Sequence, residues 1–197
     1  MLQRLIRQFR SDSRADALYG QIVAQARQPV FYAQYGVADT AEGRFDMIVL
    51  HVVLTMRRLR ETGADGRALA QTLFDTFFAD MDRNLREMGA SDLSVPKKVR
   101  AMVEAFYGRA SVYDAAIEAG SLEGMRAALD RNLFAGAAKG ADEAGRSTAA
   151  MAHYVLACST RFAALSYDDI RAGRLDWADI EDVAPPEAGA GMAEGRP

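Results

Sequence analysis

Residues 80–109, DMDRNLREMGASDLSVPKKVRAMVEAFYGR, decide the fold because they join two amphipathic helices through a short polar corner. Residues 73–88 repeat apolar side chains every three or four positions, which is the period of a helix with one buried face. Gly89 is placed to end that helix, and Ser94 with Pro96 is typical of the start of another one. The corner contains no catalytic spacing, so its dense charge indicates an interaction surface.

The same helical period runs through almost the whole chain, and no stretch alternates like a half-buried strand. It predicts helices at residues 12–27, 44–62, 66–88 and 147–165, and a short helix at residues 121–134. A further helix begins near Ser94 and is expected to bend or break at Gly108, since glycine inside a helix costs ~1 kcal/mol relative to alanine. Ser166 and Asp169 have the spacing of a capping box for a last short helix. We therefore predict an all-α fold, a single-domain bundle of about seven to eight helices.

The two ends of the chain differ in composition from its middle. Residues 1–11 are predicted to form a basic amphipathic helix, which suits an anionic membrane surface, with packing on the bundle as the alternative. The cationic side chains that would face the membrane are Arg4, Arg7 and Arg10. Residues 12–183 form the helical domain, and Trp177 is expected to dock its end onto the bundle. Residues 184–197 cannot bury enough apolar surface to fold and are predicted to be a disordered tail.

Composition argues against several classes of protein. Hydrophobic residues make up 50% and charged residues 26%, which are ordinary proportions for a globular protein. The net charge of −3 gives no reason to expect specific nucleic-acid binding. A single cysteine excludes an internal disulfide and favours a reducing compartment. Residues 47–56 are the longest apolar run, well short of the ~20 residues that cross a bilayer, and residues 1–10 lack a secretory signal. We expect a cytoplasmic protein.

The titratable residues form no recognisable metal or catalytic pattern. His51 and His153 lie on different predicted helices and outside any metal-binding spacing, so both are interpreted as partly buried, hydrogen-bonded residues. Cys158 lies on an apolar helix face and is interpreted as a small hydrophobic residue. No phosphate-binding loop or dinucleotide motif occurs, so we predict no cofactor. A helical enzyme that uses Tyr107 and Arg109 beside buried carboxylates is the weakest alternative.

Two features suggest contact with a partner protein. The aromatic connection at residues 28–43, which has no ionised group before Asp39, has the composition of interface hot spots, and a loop folded over the core is the alternative. The corner crowds charges that can set the register of a partner, although i,i+4 spacing also predicts the ordinary surface pairs Asp82–Arg86 and Arg83–Glu87. The residues predicted to contact a partner are Tyr32, Tyr35, Arg83, Arg86, Glu87, Asp92, Lys97, Lys98, Tyr107 and Arg109.

Long stretches of the sequence resemble one known family. Residues 17–51, 73–89 and 91–114 resemble the ubiquinol–cytochrome c chaperone family, which includes bacterial proteins and mitochondrial assembly factors of respiratory complex III. The most specific part is the ordered run D-M-D-x-x-L-R-E-x-G, D-L-x-V-P-K-K and F-Y-G-R in the corner. The resemblance covers roughly residues 17–165, three quarters of the chain.

The resemblance implies an assembly chaperone that binds a client and catalyses no reaction. The implied client is cytochrome b or another subunit of complex III. The implied location is the cytoplasm, with peripheral contact to the cytoplasmic face of the inner membrane. Mitochondrial relatives work beside the ribosome with a small partner protein, and the sequence leaves open whether this chain does so. The alternative function is a general helical module that binds proteins or lipid surfaces, based on residues 1–10 and the aromatic connection.

Overall fold

The computed structural model describes residues 13–135 and 141–179, and this part of the chain is built from α-helices without a strand. The helices are α1 Ser13–Ala26, α2 Pro29–Ala33, α3 Ala41–Glu61, α4 Ala64–Glu87, α5 Val95–Glu118, α6 Leu122–Asn132, α7 Ala141–Ala163 and α8 Tyr167–Arg171. The predicted all-α fold is confirmed. Among these helices, none combines the length and the apolar composition that a membrane span requires. The predictions for residues 1–11 and 184–197 lie outside the described residues.

The central helix of the bundle is α3. It packs against α1, α4, α5 and α7, and every residue from Asp46 to Met56 is buried. A helix with neighbours on all sides is apolar all round, which explains why the longest apolar run of the sequence lies here. Thr40 caps its start, because the Thr40 Oγ1 accepts a hydrogen bond from the Gly43 amide at 3.1 Å. This helix therefore carries Asp46 and His51 into the interior.

An aromatic cluster holds α4 and α5 together. Phe74, Phe77 and Phe78 of α4 surround Phe106 of α5, with ring centroids 5.4–6.0 Å apart and mostly edge-on or tilted planes. Phe45 of α3 stacks on Phe77 at 5.9 Å. Aromatic pairs in these orientations stabilise a core beyond the area that they bury. The corner between α4 and α5 therefore projects from a firmly packed helical hairpin.

A second aromatic cluster receives the end of the described chain. The ring of Trp177 lies 4.9 Å from the His51 ring and 4.8 Å from the Phe162 ring. Phe31 closes the cluster from α2, with its ring 5.2 Å from that of Tyr154. The prediction that Trp177 docks onto the bundle is confirmed. Trp177 is therefore part of the buried surroundings of His51.

Helix α5 differs from its predicted form, because it runs through Gly108 without a break. Phe106, Ala110 and Tyr113 on both sides of the glycine are buried against the bundle. Tertiary packing of this face outweighs the ~1 kcal/mol that a glycine costs inside a helix. The prediction of a bend or break at this position is wrong.

Two other segments are more helical than predicted. Helix α7 begins at Ala141, six residues before the start at residue 147 that the sequence predicts. Helix α2 lies inside the aromatic connection, and it starts with Pro29, whose fixed φ suits the first position of a helix. The capping box of α8 is confirmed, with the Ser166 Oγ accepting from the Asp169 amide at 3.1 Å. In both segments the local composition does not clearly favour a helix, and packing against the bundle determines that a helix forms.

Candidate interaction surface at the helix corner

The end of α4 is a Schellman motif. Gly89 has φ +85°, the left-handed conformation that glycine adopts without strain. The Gly89 amide donates to the Arg86 carbonyl at 2.9 Å, and the Ala90 amide donates to the Leu85 carbonyl at 3.0 Å. The predicted end of the helix at Gly89 is confirmed, and the chain leaves α4 in one defined direction.

The start of α5 lacks a side-chain cap. Ser94 is the N-cap residue, but its hydroxyl donates to the Ser91 carbonyl at 2.9 Å and makes no capping bond to the helix. Val95 is fully buried and fixes the first turn on the bundle. Lys97 and Lys98 follow at exposed positions, and this first turn contains no acidic side chain. Because positive charge opposes the helix macrodipole there, this interaction does not favour the two lysines in the folded chain.

Arg86 ties the turn to the last part of α4. Its Nε donates to the Asp82 Oδ2 at 2.6 Å, and its Nη1 forms an ion pair with Asp92 in the turn. The predicted i,i+4 pair of Asp82 and Arg86 is thus present. Arg86 is bound to two carboxylates of its own chain, which favours a role in shaping the corner.

Asp80 serves the packing of α4 against α1. The Tyr19 hydroxyl donates to the Asp80 Oδ2 at 2.9 Å, and burial, followed by the nearby Asp80 charge, raises the pKa of Tyr19 well above its usual value. Arg83 forms its ion pair with Asp80, where the spacing suggested Glu87. Within the described residues, no group of three or more His, Cys, Asp or Glu side chains is arranged to hold a metal ion.

The corner exposes two apolar side chains that the sequence did not single out as surface residues. Leu93 is 94% exposed and Met88 is 75% exposed. The apolar period of α4 places Met88 on the buried face, and this expectation is wrong because Met88 is the C-cap, where the chain has already turned away from the core. Leu93 lies in the turn, where no helical period applies, so only its apolar character in a polar segment could have revealed it.

Tyr107 and Arg109 lie on different sides of α5. The Tyr107 ring is 5.6 Å from the ring of Phe74 in α4 and remains half exposed. The Arg109 Nη2 lies 2.8 Å from the Asp46 Oδ1 of α3, and its side chain is only 20% exposed. Burial raises the pKa of Asp46 to about 6, and the Arg109 charge opposes this rise. The structure therefore does not bring Tyr107 and Arg109 together as a catalytic pair requires.

The aromatic connection presents less surface than predicted. Tyr35 is buried, its ring lies 6.3 Å from that of Phe31, and burial raises its pKa. The surface position expected for Tyr35 is wrong, because the connection folds over the core, as the alternative interpretation held. Tyr32 is half buried, and its hydroxyl donates to the Ala26 carbonyl at the end of α1 at 2.8 Å.

The predicted contact residues therefore fall into three places. Those that share the corner are Arg83, Arg86, Glu87, Asp92, Lys97 and Lys98. Tyr107 lies about 15 Å further along α5 from Lys97, at 1.5 Å per residue. Arg109 packs inward, and Tyr32 and Tyr35 belong to the connection. The corner is the one region where most of the predicted residues come together, and their role in partner contact stays a prediction.

The buried residues His51 and Tyr154 form a hydrogen-bonded network with Gln25. The His51 Nδ1 donates to the Met47 carbonyl at 2.7 Å, and its Nε2 accepts from the Tyr154 hydroxyl at 2.8 Å. That hydroxyl accepts in turn from the Gln25 Nε2 at 3.1 Å. Burial lowers the pKa of His51 to about 4, so this ring is neutral at neutral pH. His153 is exposed, so the partly buried position expected for it is wrong.

Cys158 belongs to the same interior. Its Sγ accepts a hydrogen bond from the Ala178 amide at 3.3 Å, and burial raises its pKa to about 11. A thiol with a raised pKa and no access to solvent is a poor nucleophile. The interpretation of Cys158 as a small core residue therefore agrees with its surroundings.

Fold and corner together define a class of protein, an all-α bundle whose helical hairpin presents an exposed apolar and charged turn. A model of the family described as "Ubiquinol-cytochrome C chaperone" matches residues 33–177. The chain therefore belongs to the ubiquinol–cytochrome c chaperone family, and the resemblance seen in the sequence is confirmed.

Individual relatives carry related names. The chain is 26% identical to ubiquinol-cytochrome-c reductase complex assembly factor 1 of Xenopus laevis over 104 residues, which is 53% of this chain and 52% of that protein. It is 25% identical to the same factor of Mus musculus over 117 residues, which is 59% of this chain and 39% of that protein. The chain thus spans about half the length, or less, of the curated relatives that it matches.

A solved structure has the same fold over almost its whole length. The crystal structure of the Cbp3 homolog from Brucella abortus is 34% identical to this chain and superposes with a TM-score of 0.76. The match covers 92% of this chain and 98% of that chain. The similarity therefore includes the whole helical bundle and not only the corner segment.

Proposed function

We propose that this protein is an assembly chaperone for ubiquinol–cytochrome c reductase, that its client is cytochrome b, and that it catalyses no reaction. The observation that carries the proposal is family membership over residues 33–177, together with relatives named as assembly factors of that complex. The wide structural similarity to the Cbp3 homolog supports the same assignment. We further propose that it acts at the cytoplasmic face of the inner membrane, where a newly made membrane subunit is accessible.

The physical chemistry of the described surface supports binding of a client. A chaperone needs exposed apolar side chains that water tolerates, and flanking charge that limits self-association. Leu93 and Met88 supply the exposed apolar side chains, and Asp92, Lys97 and Lys98 supply the charge. The polar groups of His51 and Tyr154, by contrast, are buried in the core and hydrogen-bonded there.

Deletion of the gene in respiring cells tests the assembly function. We expect loss of assembled ubiquinol–cytochrome c reductase, seen as lost quinol–cytochrome c activity and a missing band on native gels. Succinate dehydrogenase serves as the control for general membrane damage, and the full-length gene should restore the complex. Normal levels of the assembled complex in the deletion strain would falsify the proposal.

Affinity purification tests the identity of the client. A tagged full-length chain is purified from respiring cells and its bound proteins are identified by mass spectrometry. We expect cytochrome b to be enriched over a tagged unrelated helical protein that is expressed at the same level. Enrichment of a different subunit of the complex without cytochrome b would keep the assembly role and reject the client.

A further inference from the structure

Five residues between Met88 and Lys98 are exposed at the corner, and they comprise apolar and basic side chains. Leu93 is 94% exposed and Met88 is 75% exposed. Pro96, Lys97 and Lys98 follow at exposed positions. We name these five residues the corner patch.

The turn holds the apolar side chains of the corner patch outward. The Val95 amide donates to the Ser91 carbonyl at 3.1 Å, and Val95 itself is fully buried. Arg86 binds Asp92 in the turn, and the Schellman motif fixes the exit from α4. A surface that is already ordered loses little conformational entropy when a partner binds. Leu93 is therefore presented to solvent by the fold and is not a frayed end.

The basic part of the corner patch attracts carboxylates from outside the chain. Lys97 and Lys98 stand in the first turn of α5, which contains no acidic side chain of its own. A carboxylate placed there by a partner interacts favourably with both lysines and with the positive end of the helix macrodipole. The two lysines at the helix N-terminus, which the macrodipole disfavours in the free protein, are therefore stabilised in a complex.

The surrounding acidic residues favour a polypeptide over an anionic membrane. Glu87 and Asp92 are exposed next to Met88 and Leu93, and the Asp92 side chain is 89% exposed. Asp92 is paired with Arg86, so a flat anionic surface that reached Leu93 would be repelled mainly by Glu87. A polypeptide can cover Leu93 with an apolar side chain, place a carboxylate at Lys97, and leave the acidic residues in water.

We propose that the corner patch binds a segment of the client protein in which apolar side chains are followed by carboxylates. The apolar side chains bury against Met88, Leu93 and Pro96, and the carboxylates pair with Lys97 and Lys98. This inference rests on the proposed function and deepens it, because it names the chemistry of the client segment and the surface that receives it.

Client capture by full-length variants tests the proposal. Leu93→Ser and the pair Lys97→Glu/Lys98→Glu are each compared with Arg131→Glu/Arg146→Glu, which reverses two exposed charges on α6 and α7. We expect each corner variant to lower the co-purified cytochrome b about tenfold or more, and the control pair to change it less than about twofold. Melting temperatures check folding, and the lysine variant should melt no lower than the unchanged protein because its new acids suit the helix N-terminus.

Photo-crosslinking identifies what touches Leu93. A photoreactive amino acid replaces Leu93 in the full-length chain in respiring cells, and the same amino acid at Arg131 is the control. We expect position 93 to link to a cytochrome b segment that has an acidic residue within about one helical turn of the linked apolar residue. Links to a client segment without acidic residues contradict the proposal.

A vesicle experiment tests the lipid alternative. The full-length chain is mixed with vesicles of phosphatidylglycerol and phosphatidylethanolamine and sedimented. Binding that requires Leu93 and both lysines, together with the absence of client crosslinks at position 93, would overturn the proposal in favour of a lipid surface. Sedimentation that is equal for the unchanged protein and the corner variants supports it.

The two proposals fail in different ways. If the unchanged protein captures cytochrome b and the corner variants capture it equally well, the corner patch is wrong as the binding surface and the proposed function stands. If the unchanged protein captures no cytochrome b, the proposed client is wrong.

Discussion

The centre of the bundle buries polar side chains, whereas the corner patch exposes apolar ones. In the centre, His51, Tyr154 and Gln25 are joined in one hydrogen-bonded network, and burial keeps His51 neutral. At the corner, Leu93 lies in water and Lys97 stands at the helix end that disfavours positive charge. The stability of the fold explains the arrangement of side chains in the centre, but it gives no reason for the exposed leucine and the lysine at the corner. Residues whose positions do not stabilise the folded state are the better candidates for partner contact.

The largest effect should come from breaking the central network. His51→Ala removes a fully buried ring and the acceptor of the Tyr154 hydroxyl, so we expect the free energy of unfolding to fall by about 3 kcal/mol. His153→Ala, at an exposed position on α7, is the control and should change it by less than about 0.5 kcal/mol. Urea unfolding measures both. Equal effects of the two substitutions would contradict the structural role of His51.

The ion pair of Arg109 and Asp46 should have the next largest effect. Arg109→Met keeps the apolar stem but leaves the buried Asp46 carboxyl without its counter-charge, so we expect a loss of about 2 kcal/mol. Arg100→Met breaks the exposed pair with Glu104 and should cost about 0.5 kcal/mol or less. If the two variants unfold at the same urea concentration, Arg109 is not fixed by the core and its predicted partner contact gains support.

Asp46 should also leave a signature in the pH dependence of stability. Burial raises its pKa from 3.8 to about 6 in the folded state, so between these values the folded protein holds a proton that the unfolded chain has lost. Protonation therefore favours folding, and this stabilising contribution is lost as pH rises through about 6. His51 acts in the opposite direction, because its pKa is lowered from 6.5 to about 4 and stability rises over that window.

Asp46→Asn separates the two contributions. Without the carboxyl, the free energy of unfolding should rise more steeply between pH of about 4 and 6 than in the unchanged protein, because only the His51 contribution remains. Asp130→Asn, at an exposed position, is the control and should leave the slope unchanged. Urea unfolding at several pH values measures the slopes. A shallower slope for Asp46→Asn would show that the assigned direction is wrong.

The smallest change in stability should come from the two lysines of the corner, and we expect this change to be a gain. Lys97→Glu/Lys98→Glu places acids in the first turn of α5, so we expect the free energy of unfolding to rise by about 1 kcal/mol at low ionic strength. The gain should shrink at high salt, because these charges are exposed. Thermal unfolding at two salt concentrations measures it. A clear loss of stability would mean that the lysines serve the fold and would remove this reason for assigning them to a partner.

Most of the helices could be read from the sequence, because an apolar period depends only on neighbouring residues. The predictions were wrong where a rule based on neighbouring residues was applied at a position that tertiary packing or the path of the chain controls. Met88 continues the period of α4 but lies beyond the last helical residue, so it is exposed. Gly108 weakens α5 locally, yet the buried residues beside it keep the helix continuous. Tyr35 has a composition suited to an interface, and only the path of the connection shows that it is buried.

The location of the candidate site could be predicted from the sequence, but the residues that it exposes could not. The charged residues of the corner follow from the sequence of residues 80–109, and the structure keeps them together. The exposure of Leu93 depends on the turn geometry and on the burial of Val95, which no spacing encodes. Arg109 belongs to the same segment, but packing against α3 turns it inward to Asp46.

By itself, the sequence determined the helical class, the ends of several helices and the family, because these depend on short-range periodicity, glycine and proline chemistry, and an ordered motif. Tertiary structure decided which of the same residues are buried and which face solvent. The physical reason is that burial depends on neighbours that are distant in the chain. His51 meets Tyr154 and Trp177 only after α3, α7 and the following segment have packed, whereas Leu93 remains 94% exposed at the corner.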